Sequence, residues 1–270
     1  MVVLTEESGP LILAIETATR SGGVAVARGE EVLASRTGDA RVSHSMNLIE
    51  MIEEVLREAD VKLSEVDLFA VAEGPGSFTG LRIGLATVKA FAAHLNRKVA
   101  GVSTLAAVAH ASGADGEIVS LLPAGRGEVF AQRFWVDKRN LAVIDDARHL
   151  SPAAVMERYG EIERLIIVGE GARMFENFGV PPSGGGEEKE SGAPKDGTPN
   201  TRQGGTLNQG WMVIDESRNL APSIALLGLR NYREGKSVAP DELRAVYVRA
   251  SDAEINEQWQ RQKAQQPAQG

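Results

Sequence analysis

The stretch Gly74-Pro75-Gly76-Ser77-Phe78-Thr79-Gly80-Leu81-Arg82-Ile83-Gly84 decides how this chain is read. It follows an apolar, strand-like run, Leu68-Phe69-Ala70-Val71-Ala72, and it opens a helix-like run that continues to His94. Glycines and a proline between a strand and a helix specify a tight turn. Ser77 is placed to cap the new helix, and Gly76 lets the backbone turn sharply. The spacing Gly-x-Gly-x-x-x-Gly is one residue too long for the dinucleotide fingerprint, and no Gly-Lys-Ser/Thr follows, so it is not a P-loop. A helix N-terminus is a weak anion site. On spacing alone, a plain helix-start turn outweighs phosphate binding.

Working outward, residues 11–18 read as a buried strand, and residues 24–27 and 31–35 as the next strands of a meander. A helix is expected at 45–59, capped by Ser43 or Ser45, then a strand at 67–72, a helix at 78–94 and a strand at 99–102. Ser103 caps a further helix at 104–111. The second half repeats the alternation, with strands at 117–122, 128–136 and 165–168. Ser151-Pro152 starts a helix with a capping serine and proline at the first helical position, and Pro222 opens a final helix at 223–232. Meanders followed by helix–strand alternation predict mixed sheets with parallel crossovers. Residues 1–10 are expected to be flexible and 251–270, rich in glutamine and alanine towards its end, a loose tail. Residues 181–210 are expected to be a disordered insert, because they hold too little apolar surface to offset their ordering entropy.

The chain has 270 residues, enough to bury about 70–75% of its unfolded surface in one large or two modest domains. It has no cysteine, which excludes disulfides, thiolate metal sites and a cysteine nucleophile. That composition and an acidic, poorly signal-like start lead to an expected cytoplasmic location. The run Leu11-Ile12-Leu13-Ala14-Ile15 is too short to span a bilayer. Net charge is −8 without a lysine/arginine cluster, which argues against a chain that grips nucleic acid unaided.

Residues 74–84 resemble the signature segment of the TsaB (YeaZ) family, the partner subunit in bacterial synthesis of N6-threonylcarbamoyladenosine in tRNA. Leu13-Ala14-Ile15-Glu16-Thr17-Ala18 is similar to that family's first strand, and His44-Ser45 with Leu48 and Leu56 to its first helix. Gly125-Arg126-Gly127-Glu128-Val129-Phe130, Val168-Gly169-Glu170-Gly171-Ala172 and Val246-Tyr247-Val248-Arg249-Ala250 also fit. The match is good over residues 11 to about 180 and looser over 221–250. One departure stands before the Glu128 strand. The family often has Asp-Ala-Arg there, and this chain has Pro123-Ala124-Gly125-Arg126, keeping the arginine alone.

The resemblance implies an α/β protein of two actin-like (ribonuclease H-like) lobes, each a mixed sheet flanked by helices, divided as 11–112 and 113–250. It implies a non-catalytic scaffold or dimerisation subunit that docks and activates a TsaD-like catalytic subunit. A TsaE-like ATPase would bind the pair, the chain would form a homodimer when alone, and tRNA would be met only through the complex. No membrane partner is implied. It carries no cofactor or metal of its own, and ATP or ADP and a metal would belong to the complex with the catalytic subunit.

The helices have features of their own that bear on this. Helix 45–59 carries Met46, Leu48, Ile49, Met51, Ile52, Val55 and Leu56, an apolar surface wider than one core-facing stripe. Helix 78–94 carries Gly80 and Gly84 four apart among alanines, spacing that admits a close second helix. Internal packing alone explains either helix equally well, and it is two consecutive helices of this kind that tip the reading toward a helical partner interface. The expected partner-binding residues are His44, Met46, Ile49, Ile52, Glu53, Leu56, Gly80, Arg82, Gly84, Thr87, Val88 and Phe91. Arg82, near the positive end of its helix, points to an acidic or anionic partner across the interface or in a bound nucleotide, and a plain surface arginine is the competing reading.

Glu16, Thr17, Gly76 and Ser77 are the candidate nucleotide-facing residues, since an acidic residue at this strand end faces phosphates in the actin/hexokinase-like superfamily. For Glu16-Thr17 a strand-end polar pair outweighs that reading. No two of His44, His94, His110 and His149 are four residues apart, so no helical histidine metal pair is encoded. No catalytic residue is assigned, and Asp145-Asp146 reads as a solvated turn. Two other classes stand beside the scaffold: an ATP-binding kinase or ATPase of the same superfamily, and a glycoprotease-like peptidase.

Overall fold

The computed structural model describes residues 9–41, 43–138, 140–178, 211–214 and 218–248, without the side chains of 44–46 and 176–178. The expected flexible start (all but its last two residues), the 181–210 insert and the 251–270 tail lie outside the described residues, as do the side chains of His44 and Met46.

Two sheets form the body. The first contains β1 (Leu11–Glu16), β2 (Gly23–Arg28), β3 (Glu31–Thr37), β4 (Leu68–Gly74) and β5 (Lys98–Ser103), in the order β3-β2-β1-β4-β5. β1–β3 are antiparallel neighbours, whereas β4 and β5 run parallel to β1. β1 is buried along its whole length, which accounts for its unbroken apolar reading. The parallel crossovers are α1 (His44–Glu58) and α2 (Phe78–Leu95), both within a residue of expectation.

The second sheet repeats this plan. β6 (Gly116–Gly125), β7 (Glu128–Asp137) and β8 (Asn140–Val143) are antiparallel, and β10 (Leu165–Val168) and β11 (Trp211–Ile214) run parallel to β6. The order β11-β10-β6-β7-β8 matches that of the first sheet, with β9 (Arg148–Leu150) added against β7. Arg126 and Gly127, at φ +54° and +77°, form the tight turn between β6 and β7. α3 (Thr104–Ser112) lies between the lobes, and α4 (Pro152–Tyr159) starts at the Ser151 cap as expected.

The chain departs from its sequence division at α5 (Ala221–Arg233). This helix packs on β1, β2, β4 and β5, in the first lobe and not the second. Gly228 lies against Ala70, Asn231 Nδ2 donates to the Gly101 carbonyl at 2.8 Å, and Val238 pairs with Val99. Gly228 has no Cβ, which is what lets the helix approach the sheet this closely. α1 and α2 cover the opposite face of the same sheet, where Phe91 meets Phe69 at 6.3 Å. No helix among the described residues is long and apolar enough to cross a membrane.

Candidate functional site

A cleft of about 540 Å³ opens between the lobes. The first lobe lines it with Ala18, Thr19, Arg20, Ser43, Gly76, Ser77, Thr79, Gly80 and Ile83, and the second with Leu122, Pro123 and Glu170. The walls come from the carboxyl ends of β1, β4 and β6 and the residue after the β10 turn, the place where open α/β sheets hold ligands. β1 feeds the loop 17–19, and β4 feeds the turn 75–77.

The polar atoms of this wall are largely engaged with one another. Glu16, 1% exposed, accepts from the Ala18 and Thr19 N–H groups at 2.5 and 2.8 Å and from the Thr19 hydroxyl at 2.6 Å. Thr17 is fully buried and donates its hydroxyl to the Gly80 carbonyl at 2.7 Å. The Ser77 N–H donates to the Ala18 carbonyl at 2.8 Å, and Ser77 Oγ accepts from the Gly80 N–H at 3.2 Å as the cap of α2. Of the four candidate nucleotide-facing residues, Gly76 and Ser77 line the cleft, whereas Glu16 and Thr17 turn into the protein. The Glu16 carboxylate already takes the Ala18 and Thr19 N–H groups, so those two loop donors are not offered to a phosphate. Among the described residues no group of three histidine, cysteine, aspartate or glutamate side chains could hold a metal ion.

The proposed partner face divides sharply. Ile52 (2% exposed), Leu56 (8%) and Val88 (0%) lie in the lobe's own core, where each such side chain contributes about 1.5–3 kcal/mol. Much of the apolar width of α1 is therefore used within the lobe, where the helix packs on β2 and β3, and Ile49 is left outside it. Gly80 and Gly84 admit Thr17 rather than a second helix: a Cβ at Gly80 would run into the Thr17 carbonyl, and one at Gly84 into the Thr17 hydroxyl. Phe91 is half-buried against Phe69, and Thr87 Oγ1 donates to the Ile83 carbonyl at 2.9 Å. What reaches solvent, among the described side chains, is Ile49, half exposed, with Glu50, Glu53, Arg57 and Glu58 on α1, and Thr79, Arg82, Ala86, Ala90, Ala93 and His94 on α2.

Two features escaped the sequence. Arg82 stacks on Phe78, with Cζ 3.9 Å from the ring centroid, and Phe78 meets Tyr247 at 5.2 Å. Nothing local announces a contact between residues this far apart, although Tyr247 stands in one of the segments with family resemblance. Asp145 is not a solvated turn residue either. Its carboxylate accepts from the Arg133 N–H at 2.8 Å, from Arg158 at 3.1 and 3.2 Å and from the Tyr159 hydroxyl at 2.9 Å, joining β7 to α4.

Two lobes with the same strand order around a central cleft define a protein of the actin-like, ribonuclease H-like class. Residues 34–183 match the family model described as TsaD: tRNA N6-adenosine threonylcarbamoyltransferase. The tRNA threonylcarbamoyladenosine biosynthesis protein TsaB of Escherichia coli (strain K12) is 27% identical over 244 residues, 88% of this chain and 94% of that protein. The protein of the same name from Bacillus subtilis (strain 168) is 34% identical over 158 residues, 58% of this chain and 69% of that one. The solved structure of YeaZ from Pseudomonas aeruginosa superimposes with a TM-score of 0.69 at 22% identity, over 88% of this chain and 99% of that one, and supports the fold. The chain belongs to the TsaB (YeaZ) family.

Proposed function

We propose that this chain acts in the biosynthesis of N6-threonylcarbamoyladenosine in tRNA as a non-catalytic scaffold subunit. It docks a TsaD-like catalytic subunit through the exposed face of α1 and α2 and holds it in an active arrangement. The catalytic subunit transfers the threonylcarbamoyl group from its adenylate to N6 of adenosine 37. A TsaE-like ATPase binds the pair, and tRNA is reached through the assembly. The chain forms a homodimer when alone and works in the cytoplasm. ATP or ADP and a metal belong to the assembly with the catalytic subunit.

The observation that carries this reading is the inter-lobe cleft, where the Ala18 and Thr19 N–H groups are engaged by Glu16 and so are not offered to a nucleotide phosphate. Its family membership and the names of its relatives support the pathway. The test is co-purification with the TsaD-like protein of the same genome, followed by mass determination. A stable one-to-one species is expected. No complex, with or without nucleotide, removes the docking reading. Tight binding of ATP with magnesium by the isolated chain would put the ATPase reading in its place, and EDTA-sensitive cleavage of casein would favour the peptidase.

A further inference from the structure

Arg82 stands on the exposed side of α2, and its surroundings fix its geometry. Its guanidinium lies on the Phe78 ring at 3.9 Å, and that ring is backed by Tyr247 at 5.2 Å. Tyr247 is held in turn by its neighbour. The Val246 N–H donates to the Glu73 carbonyl at 2.7 Å, and the Val246 carbonyl lies against Gly74, where φ of +122° and the missing Cβ make room. The segment ending at residue 248 is thereby fastened to the end of β4 as a floor under the stack. One face of the guanidinium is covered and its N–H edge is left open. No described carboxylate pairs with it.

Resting on the docking role above, we propose that Arg82 is the charged anchor of this face and takes a carboxylate of the catalytic subunit, with Phe78 and Tyr247 as its positioning residues. A planar fork already held by stacking loses less rotamer freedom on pairing than a free side chain, and its shape matches a carboxylate. A nucleotide in the inter-lobe cleft is not the ligand, because Arg82 is not among the residues that line it. An RNA backbone is disfavoured by the surroundings. Glu50, Glu53 and Glu58 are exposed on the adjacent helix beside Arg57, Lys89 is partly exposed on α2, and the chain carries a net charge of −8, so the face mixes both signs and is not the basic stripe that a phosphate backbone needs. Past Arg82 the exposed positions of α2 include Ala86 and Ala90, which let a protein surface approach closely.

The test measures the affinity of the full chain for the catalytic subunit at low and moderate salt, with thermal melting as the control for folding. Arg82→Ala is expected to weaken binding about 10- to 100-fold, as loss of a charge-assisted pair does, without lowering the melting temperature. Arg82→Lys keeps the charge without the fork and should recover only part of the affinity. Phe78→Leu keeps the charge but removes the platform. It should weaken binding several-fold and flatten the salt dependence, which a merely structural role would not do. Arg82→Glu should bind worst and be rescued by an acid-to-arginine change on the partner. Wild-type binding with unchanged Arg82→Ala and Arg82→Glu affinities would overturn the anchor and leave docking standing. No wild-type binding would overturn both. If Arg82→Ala bound the catalytic subunit normally but the complex lost affinity for tRNA, the ligand would be a phosphate and the carboxylate assignment would fall.

Discussion

Thr17 donates its hydroxyl to the Gly80 carbonyl at 2.7 Å across 63 positions of sequence, and this contact fixes where α2 starts relative to β1. It also explains both glycines of the Gly80/Gly84 pair, since each faces Thr17 with no room for a Cβ. A methyl at Gly80 meets a backbone carbonyl that cannot move without the chain leaving β1, whereas one at Gly84 meets a side-chain oxygen, which can give way by loosening its bond to the Gly80 carbonyl. Gly80→Ala should therefore cost about 3 kcal/mol and Gly84→Ala about 1 kcal/mol, the two ends of the usual overpacking range. Thr17→Ala should relieve part of the Gly84→Ala cost in a double-mutant cycle read by urea denaturation. Additive costs would show that Thr17 is not the neighbour that matters.

Glu16 is the second hinge of the same loop. Its carboxylate accepts two backbone N–H groups and the Thr19 hydroxyl in a site 1% exposed. Glu16→Gln removes the charge from those bonds and should cost about 1.5–3 kcal/mol. Glu16→Ala should cost more, because the Ala18 and Thr19 N–H groups then lack their acceptor. Denaturant midpoints should fall with an unchanged slope. An alanine variant as stable as the parent would mean that the loop holds itself.

Much of the fold is legible from local chemistry. The Ser77, Ser103 and Ser151 caps, the Gly74–Gly76 turn and the fully apolar β1 act over a few residues, so the sequence carries them directly. The match in strand order between the two sheets is written nowhere locally, and here the family resemblance pointed to it. The destination of α5 depends on Gly228 meeting Ala70, a contact between residues 158 positions apart that periodicity does not encode. Arg82 on Phe78 is a near neighbour and was in principle readable, but Tyr247 beneath them was not. The engagement of Glu16 by its own loop is the strand-end polar reading, but its partners could not be named from sequence, because a strand-end acid reads alike whether it faces a ligand or its own backbone.

The Asp145 hub gives an alkaline signature. Burial first, and then the hydrogen bond to Asp145, push the Tyr159 hydroxyl up from 10.0 to about 12. Between those values the unfolded chain has released this proton and the native chain has not, so stability falls as pH rises through the interval. Tyr159→Phe abolishes that contribution. At neutral pH the variant should be less stable by about 1 kcal/mol for the lost bond. Its deficit should shrink as pH climbs above 10, in denaturation curves taken across that range. A deficit constant with pH would place the protonated phenol elsewhere.

Glu73 works in the acidic range with the same sign. It sits at the end of β4 against Gly101, with Leu243 buried beside that position, and burial raises its carboxyl above the ordinary glutamate value. The native chain therefore holds this proton at pH values where the unfolded chain has lost it. Stability falls as pH rises from the ordinary value to the raised one, and the penalty persists above it. Glu73→Gln keeps the shape without the charge. It should raise the melting temperature near neutral pH, and the gain should vanish as pH drops below the ordinary glutamate range, followed from about pH 8 to about pH 4. The carbonyl of Glu73 still receives the Val246 N–H in this variant, so the floor beneath Tyr247 stays in place and Arg82-dependent docking should not change. A variant that melts like the parent at every pH would show that the carboxylate reaches water when it ionises. A loss of docking would show that its charge, and not only its backbone, supports the stack.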